Sequence, residues 1–538
     1  MIKNIDAIID SLSIEELVGQ TMCISFSPKT DPKKVEALIN EMKPGAVFVQ
    51  FINKEFVKDT IDKVNKVTKV PVIISADVEN GPGYVINEIE ESPFQMALGA
   101  CNDEKLIEEF GYYVGRVCRN LGINYTFSPV VDLCLQKDNT ATNIRCISDN
   151  ADRVINVSNA FIKGIQTDNN MVATCKHFPG DGVDERNQHF CTTINSLSKE
   201  EWDSSYGKIF KNCVDTEVPS IMIGHIALPC YEEEKDEYGY MPATASKSLI
   251  QGLLKDKLGY KGCVMSDAMC MIGIGSRVPN EERILRFFEA GGDFFLIPTI
   301  EEYRILLNAV KTGRISLERI KDAVRRVLLL KEKAGLFNTD KKVNYNLDED
   351  LSKLAEITEK ITEKSVKVVR DYKGVLNNKI KKGSKILIAE LKPHPRDGLV
   401  RDKLFDPFKE ALKERGCEVK TLITPDNHDL EKIMFDYDYV LVNYFCSPHE
   451  FYSGHSFRID WDNIMTFWHG TIFEHKNVIF TSFGDPYKLF ELPFLSTYIN
   501  AFSCDSYTQR AVVKLLFGEI ECTAKNPVTL DGFFEYEE

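Results

Sequence analysis

Short apolar runs rich in β-branched residues recur along this chain with helix-length segments between them, and that rhythm limits the folds open to it. Eight runs come first: 22–26 (MCISF), 46–50 (AVFVQ), 72–78 (VIISADV), 125–131 (YTFSPVV), 172–176 (VATCK), 220–225 (SIMIGH), 263–266 (CVMS) and 294–297 (FFLI). The stretches between them show helical spacing, as at Val35, Leu38, Ile39 and Met42. Strands separated by helices pair in parallel through crossovers. Eight such units within residues 1–340 predict an N-terminal (β/α)8 barrel. The competing arrangement, an open doubly wound sheet, usually carries G-x-G-x-x-G after its first strand, and that motif is missing here.

From 341 to 371 the composition turns charged and helix-favouring (Glu356, Glu359, Lys360, Glu363, Lys364), which reads as a linker helix. Runs at 385–391 (KILIAEL), 418–423 (EVKTLI), 439–444 (YVLVNY) and 477–482 (NVIFTS) then predict a smaller α/β sandwich, a doubly wound sheet over 372–538. Two domains also suit 538 residues, which exceed one ordinary core.

The formal net charge of −15 leaves no basic surface for phosphate neutralisation, which argues against nucleic acid and anionic membrane as partners. No apolar run is long enough to span a bilayer, and Met1–Gln20 alternates apolar and acidic residues rather than forming a secretory leader. Fifteen cysteines without a C-x-x-C pair suit a reducing compartment, so the expected location is cytoplasmic. Without an H-E-x-x-H, a P-loop or clustered His and Cys, neither a metal nor a cofactor is expected.

Chemistry gathers where the barrel strands end. Asp77, Asp132, Lys176 with His177, His225 and Asp267 all lie at or just past the C-terminal end of a run. In a barrel these positions converge on the face that carries active sites. Taken singly, each is equally well a solvated cap; five together point to a site. The densest segment is Lys176-His177-Phe178-Pro179-Gly180-Asp181-Gly182, continuing through Asp184, Glu185 and Arg186 to Asn187, Gln188 and His189. Polar residues beside glycines at this density read as a mobile functional loop rather than core.

This loop resembles the K-H-F-P-G-x-G signature of glycoside hydrolase family 3, in particular its β-N-acetylglucosaminidase branch. The resemblance extends to Leu12 through Gln20, to Asp77-Val78-Glu79-Asn80-Gly81 and to Ser92-Pro93-Phe94 through Gly99. It continues at Ser128 through Asp132, Arg145 with Ser148-Asp149, Pro242 through Ser266-Asp267, and Gly313 through Phe337. Ser482 through Pro486, Tyr498-Ile499 and Leu516 through Thr529 match the second domain of that family, whereas about 392–475 does not.

The resemblance implies a retaining exo-glycosidase acting on a carbohydrate, with Asp267 as nucleophile and His189 as the proton-transfer group. It also implies that Asp77, Arg145, Lys176 and His177 hold sugar hydroxyls. Retention needs those two roles, a carboxylate at the anomeric carbon and an acid that later serves as base. Alternatives for single residues are a helix cap at Asp267 and an Arg145–Asp149 ion pair.

Two departures stand out. The family pairs the loop His with an Asp two residues earlier, where this chain has Asn187; Asp181 and Asp184 are nearby candidates to supply the missing charge. The Asp77 loop also lacks the usual arginine after its glycines. The expected activity is removal of terminal β-linked N-acetylglucosamine-type residues. The alternatives are a β-glucosidase, a phosphorolytic variant, and a catalytically impaired glycan-binding protein. The aromatic stretch around His449, Phe451, Tyr452, His455 and Phe457 reads as surface of the second domain, the alternative being a segment that reaches over the barrel mouth.

Overall fold

One residue in two along the first strands turns inward, and this alternation builds two apolar layers. Cys23 of β1 (Met22–Ser25), Ala46 and Phe48 of β2 (Ala46–Phe48), Ile73 of β3 (Ile73–Ala76) and Tyr125 of β4 (Tyr125–Thr126) share an inner cluster. Their neighbours Met22, Ile24, Val47 and Ile74 belong to the larger layer beneath the helices. The series continues with β5 (Thr174–Phe178), β6 (Ser220–Ile223), β7 (Cys263–Ser266) and β8 (Phe295–Leu296). All pair in parallel, in the orders β8-β1-β2-β3-β4 and β5-β6-β7. Two isolated parallel bridges, Tyr125–Val172 and Met265–Phe294, join these sets into a closed ring. The expected (β/α)8 barrel is present, its interior a packed core rather than a pore. Val327 and Leu330 of the helix Leu317–Lys333 close that core. This computed structural model describes residues 5–168, 171–337, 346–391, 403–446, 458–459 and 461–538. The aromatic stretch at His449 to Phe457 lies outside them.

Helix starts are written locally. Ser13, Ser198 and Thr299 each accept the backbone N–H three residues on, where a glutamate returns the bond. The helix within the expected linker runs Leu347–Ser365 and stops there, because β-branched Val366, Val368 and Val369 favour extended backbone. Lys367–Asp371 becomes β9, an edge strand of the second sheet.

That sheet contains β10 (Lys385–Leu391), β11 (Glu418–Ile423), β12 (Tyr439–Tyr444), β13 (Val478–Ser482) and β14 (Thr497–Asn500). Its order is β9-β14-β13-β12-β10-β11, parallel except for the β9–β14 pair. β9 and β14 are additional to the four strands read from the pattern.

The two domains share a core. Phe94, Met96, Ile144 and Cys146 of the barrel cluster with Val442, Phe480, Tyr487 and Val528 of the second domain. Asn143 Nδ2 donates to Asp485 Oδ1 at 3.0 Å, and Thr529 N donates to Asp149 Oδ2 at 2.7 Å. Among the described residues, no helix is long and apolar enough to cross a membrane.

Candidate active site

A cavity of about 280 Å³ opens over the C-terminal ends of the strands, floored by Phe48, Phe127, Met222 and Leu296. Asp77 reaches it just after β3, Lys176 and His177 from β5, and Asp267 just after β7. Consecutive residues of a regular strand face opposite sides. Lys176 and His177 both line the cavity because the pairing of β5 with β6 shifts register between Cys175 and Phe178.

One wall is a web of charges. Glu79 grips Arg145 in two parallel hydrogen bonds, Nε to Oε2 and Nη2 to Oε1, both 2.8 Å. Lys176 Nζ lies 2.6 Å from Glu79 Oε1 and 2.7 Å from Asp77 Oδ1. Burial alone would push the Lys176 ammonium down, yet Asp77 and Glu79 outweigh it and hold its pKa above the ordinary value. Asp77 is the partly exposed member of the web, with 22 % of its side chain accessible, and so can meet a ligand. The alternative Arg145–Asp149 pair does not form, since Asp149 instead accepts the Thr529 N–H.

Asp267 is 6 % exposed, and its Oδ1 accepts the Ala268 N–H at 2.7 Å. His177 Nε2 stands 3.8 Å from Oδ2. The other His177 nitrogen, Nδ1, lies 2.7 Å from Asp132 Oδ2. Burial pushes the Asp267 carboxyl up, but His177, His225, His189 and Lys176 together hold it below the usual carboxylate range. It is therefore ionised at neutral pH. His225 is fixed by Thr244 Oγ1 at 3.0 Å and the Ala268 carbonyl at 3.1 Å, and Gln188 Oε1 accepts its backbone N–H at 2.9 Å.

His189 reaches the same cavity from the long loop after β5. Asn187 Oδ1 lies 2.6 Å from His189 Nδ1 and accepts the His189 backbone N–H at 3.0 Å. Its Nδ2 donates to the Thr140 carbonyl at 3.3 Å, which fixes the amide orientation. The imidazole must then carry a proton on Nδ1, leaving Nε2 to exchange. Burial outweighs the attraction of Asp267 and brings the His189 pKa down to about 4, with Arg145, His177 and His225 adding to the fall.

The family's sequence profile, described as the glycosyl hydrolase family 3 N terminal domain, matches residues 13–330. The chain belongs to glycosyl hydrolase family 3. It is 28% identical over 536 residues to a beta-N-acetylglucosaminidase/beta-glucosidase of Cellulomonas fimi, covering 96% of this chain and 93% of that protein. Among solved structures it is similar to the beta-glucoside phosphorylase BglX bound to 2FGlc, at 26% identity and a TM-score of 0.86 over 97% of this chain and 95% of that one. A family 3 beta-N-acetylglucosaminidase from Paenibacillus sp. str. FPU-7 aligns at 25% identity and a TM-score of 0.81, covering 97% and 99% of the two chains.

Within this glycoside hydrolase, the six residues to which the resemblance gave roles (Asp77, Arg145, Lys176, His177, His189 and Asp267) line one cavity together with Asn187, whereas the strand-end residues Asp132 and His225 stand behind it. The two candidate replacement carboxylates are engaged elsewhere. Asp184 binds Arg186 and the Ile194 N–H at 2.9 Å, while Asp181 accepts from Gly182 N and Asn139 Nδ2 at 2.7 and 3.2 Å. The loop is also far more fastened than its composition suggests. Lys176, His177, Asp181, Asn187 and Gln188 are buried, and Gly182 has φ +95°, where an added Cβ would collide with the Leu133 carbonyl. Its polar groups are satisfied by neighbouring loops that a linear reading does not bring near.

Glu79 and Gln188 help hold the site together, yet neither was given a role from the sequence, whereas Asp132, read there as one of the converging strand ends, stands behind His177 rather than lining the cavity. Glu79 had a usable signal, standing two residues after Asp77 in the strand-end loop. Gln188 had none, because its role depends on β6 approaching the loop.

Proposed function

We propose that this enzyme removes terminal β-linked N-acetylglucosamine-type residues by double displacement, with Asp267 as nucleophile and His189 as acid and base. The observation that carries the reading is that buried Asp267, its carboxyl held below the usual range, shares one cavity with His189, whose Nδ1 faces Asn187 Oδ1 so that Nε2 is the nitrogen that titrates. Oδ2 of Asp267 attacks the anomeric carbon while Oδ1 stays on the Ala268 N–H. The C–O bond breaks toward the leaving oxygen, which takes a proton from His189 Nε2. Water then attacks the glycosyl ester, His189 accepts its proton, and Asp267 departs. Asp77, Lys176, Arg145 and His177 bind the sugar hydroxyls.

Labelling with a 2-deoxy-2-fluoro glycoside followed by peptide mapping tests the nucleophile; a tagged carboxylate other than Asp267 would overturn it. Comparing aryl β-N-acetylglucosaminide with aryl β-glucoside tests the sugar, and cleavage of the glucoside alone would place the enzyme among β-glucosidases.

A second reading, phosphorolysis, is favoured by the neutral Asn187 behind His189. No carboxylate at that position repels an incoming phosphate, and the similar BglX structure is that of a phosphorylase. Turnover unchanged by added phosphate would exclude it. The fifteen free thiols support a cytoplasmic location, since an oxidising compartment would select against them. Secretion of active enzyme into the medium or periplasm would contradict this.

A further inference from the structure

We propose that His428, Glu431 and His469 form a site for a divalent cation of the zinc type in the second domain. None of the three lines the catalytic cavity, so the site is separate from the glycosidase chemistry. His428 and Glu431 stand three residues apart on the helix Asn427–Glu431, which places them on one side. His469 arrives from the turn that follows Met465–Phe467.

One ligand atom from each of the three falls within 4.8 Å of the others. His469 Nδ1 lies 3.3 Å from Glu431 Oε1, and His428 Nδ1 lies 3.8 Å from Glu431 Oε2. Ligands about 2.0–2.2 Å from a tetrahedral ion stand roughly 3.4 Å apart, so only small side-chain adjustments separate this arrangement from a coordinated one.

The ligand atoms already converge. Asn427 Nδ2 is 2.6 Å from His469 Nδ1 and 3.4 Å from Glu431 Oε1, a donor facing two acceptors. His469 Nδ1 also lies within hydrogen-bond distance of Glu431 Oε1, so a metal bound there would displace either the Asn427 amide or a ring proton. Rotation of the Asn427 amide would open the point at which the acceptors meet. Thr471 Oγ1 donates to Glu431 Oε1 at 2.7 Å and orients the carboxylate, as outer-sphere partners do in metal sites. Two imidazoles and one carboxylate favour Zn²⁺ over Ca²⁺ or Mg²⁺, which take oxygen ligands. Three protein ligands leave a fourth position to water. A bound ion would tie the helix to the turn, joining elements about forty residues apart in the chain.

The test titrates Zn²⁺ into the full chain, stripped with a chelator, against a chromophoric competitor. The same titration is run on the His428→Ala/His469→Ala double variant. Active-site histidines also attract zinc, so the readout is the difference between the two proteins. The expected result is one fewer tight equivalent in the variant, with undiminished hydrolysis of an aryl glycoside by the metal-free variant showing that it is folded. Co²⁺ bound to the parent chain should give a visible band that the variant lacks, and excess Ca²⁺ or Mg²⁺ should leave Zn²⁺ in place. Equal zinc stoichiometry in the two proteins, or displacement by Ca²⁺ or Mg²⁺, overturns the proposal.

Discussion

At His189 a neutral amide stands where a carboxylate would steady the imidazolium, and the consequence is a matter of protonation. An acid must be protonated before it can donate, and a histidine titrating at about 4 is almost wholly neutral at pH 7. In the free enzyme, kcat/KM should rise as pH falls from 7 toward that value. Asn187→Asp places a negative charge beside the Nδ1–H, which favours the protonated ring and raises its pKa. The alkaline limb of the pH profile should move upward, and the rate at pH 7 should rise by about tenfold for each unit of that shift. An alkaline limb unmoved by the substitution would remove His189 from the acid role. A parent chain without activity that gains it on substitution would identify a glycan-binding protein.

Asp181 gives a second residue-scale test. Burial and the neighbouring Asp132 push its carboxyl up to about 7, and its Oδ2 is buried without a hydrogen-bond partner. A folded pKa above the unfolded one means that ionisation disfavours the native state. That destabilisation is absent below about pH 4 and grows as pH rises toward 7. Asp181→Asn should therefore raise Tm at pH 8 and leave it nearly unchanged at pH 4, as read by thermal unfolding at the two pH values.

The loop after β3 is the element on which the cavity wall depends. Glu79 neutralises Arg145 with both oxygens and Lys176 with one, all three largely shielded from water. Removing one partner of a buried ion pair leaves an uncompensated charge and costs roughly 3–5 kcal/mol. Glu79→Gln, which keeps the shape and deletes the charge, should show a loss of about that size in urea unfolding. It should also raise KM for the glycoside, because Lys176 and Arg145 repel each other once their common counterion is gone. Wild-type stability in this variant would mean that the web is not what positions the two cations.

For the whole molecule, the shared apolar cluster makes a claim about cooperativity. Phe94, Met96 and Ile144 of the barrel are buried against the second domain, so neither domain can unfold without exposing the other's core. Trp202 is buried in the barrel, whereas Trp461 and Trp468 are exposed in the second domain, and these are the only tryptophans of the chain. Fluorescence of Trp202→Phe and of Trp461→Phe/Trp468→Phe should give coincident denaturant transitions. Well-separated midpoints would show the two domains to be independent.

The eight barrel strands and four strands of the second sheet, β10 to β13, were legible because their signal is local: apolar runs of strand length punctuated by helical spacing. The strand-end positions of Asp77, Lys176, His177 and Asp267 follow from that pattern, since a barrel gathers such ends on one face. β9 and β14 escaped notice because their residues, Lys367–Asp371 and Thr497–Asn500, mix charged or polar groups with few apolar ones and depend on the partner they meet. Three things at the site needed the tertiary structure. It showed Glu79 as the hub of the cation web, Asp181 and Asp184 engaged away from His189, and the polar loop as buried at Lys176 to Gly182 and at Asn187 and Gln188, with only Glu185 and Arg186 exposed within it. Each rests on hydrogen bonds between segments distant in the chain. Periodicity reports the face a residue presents, and only the folded molecule supplies the partner on the other side.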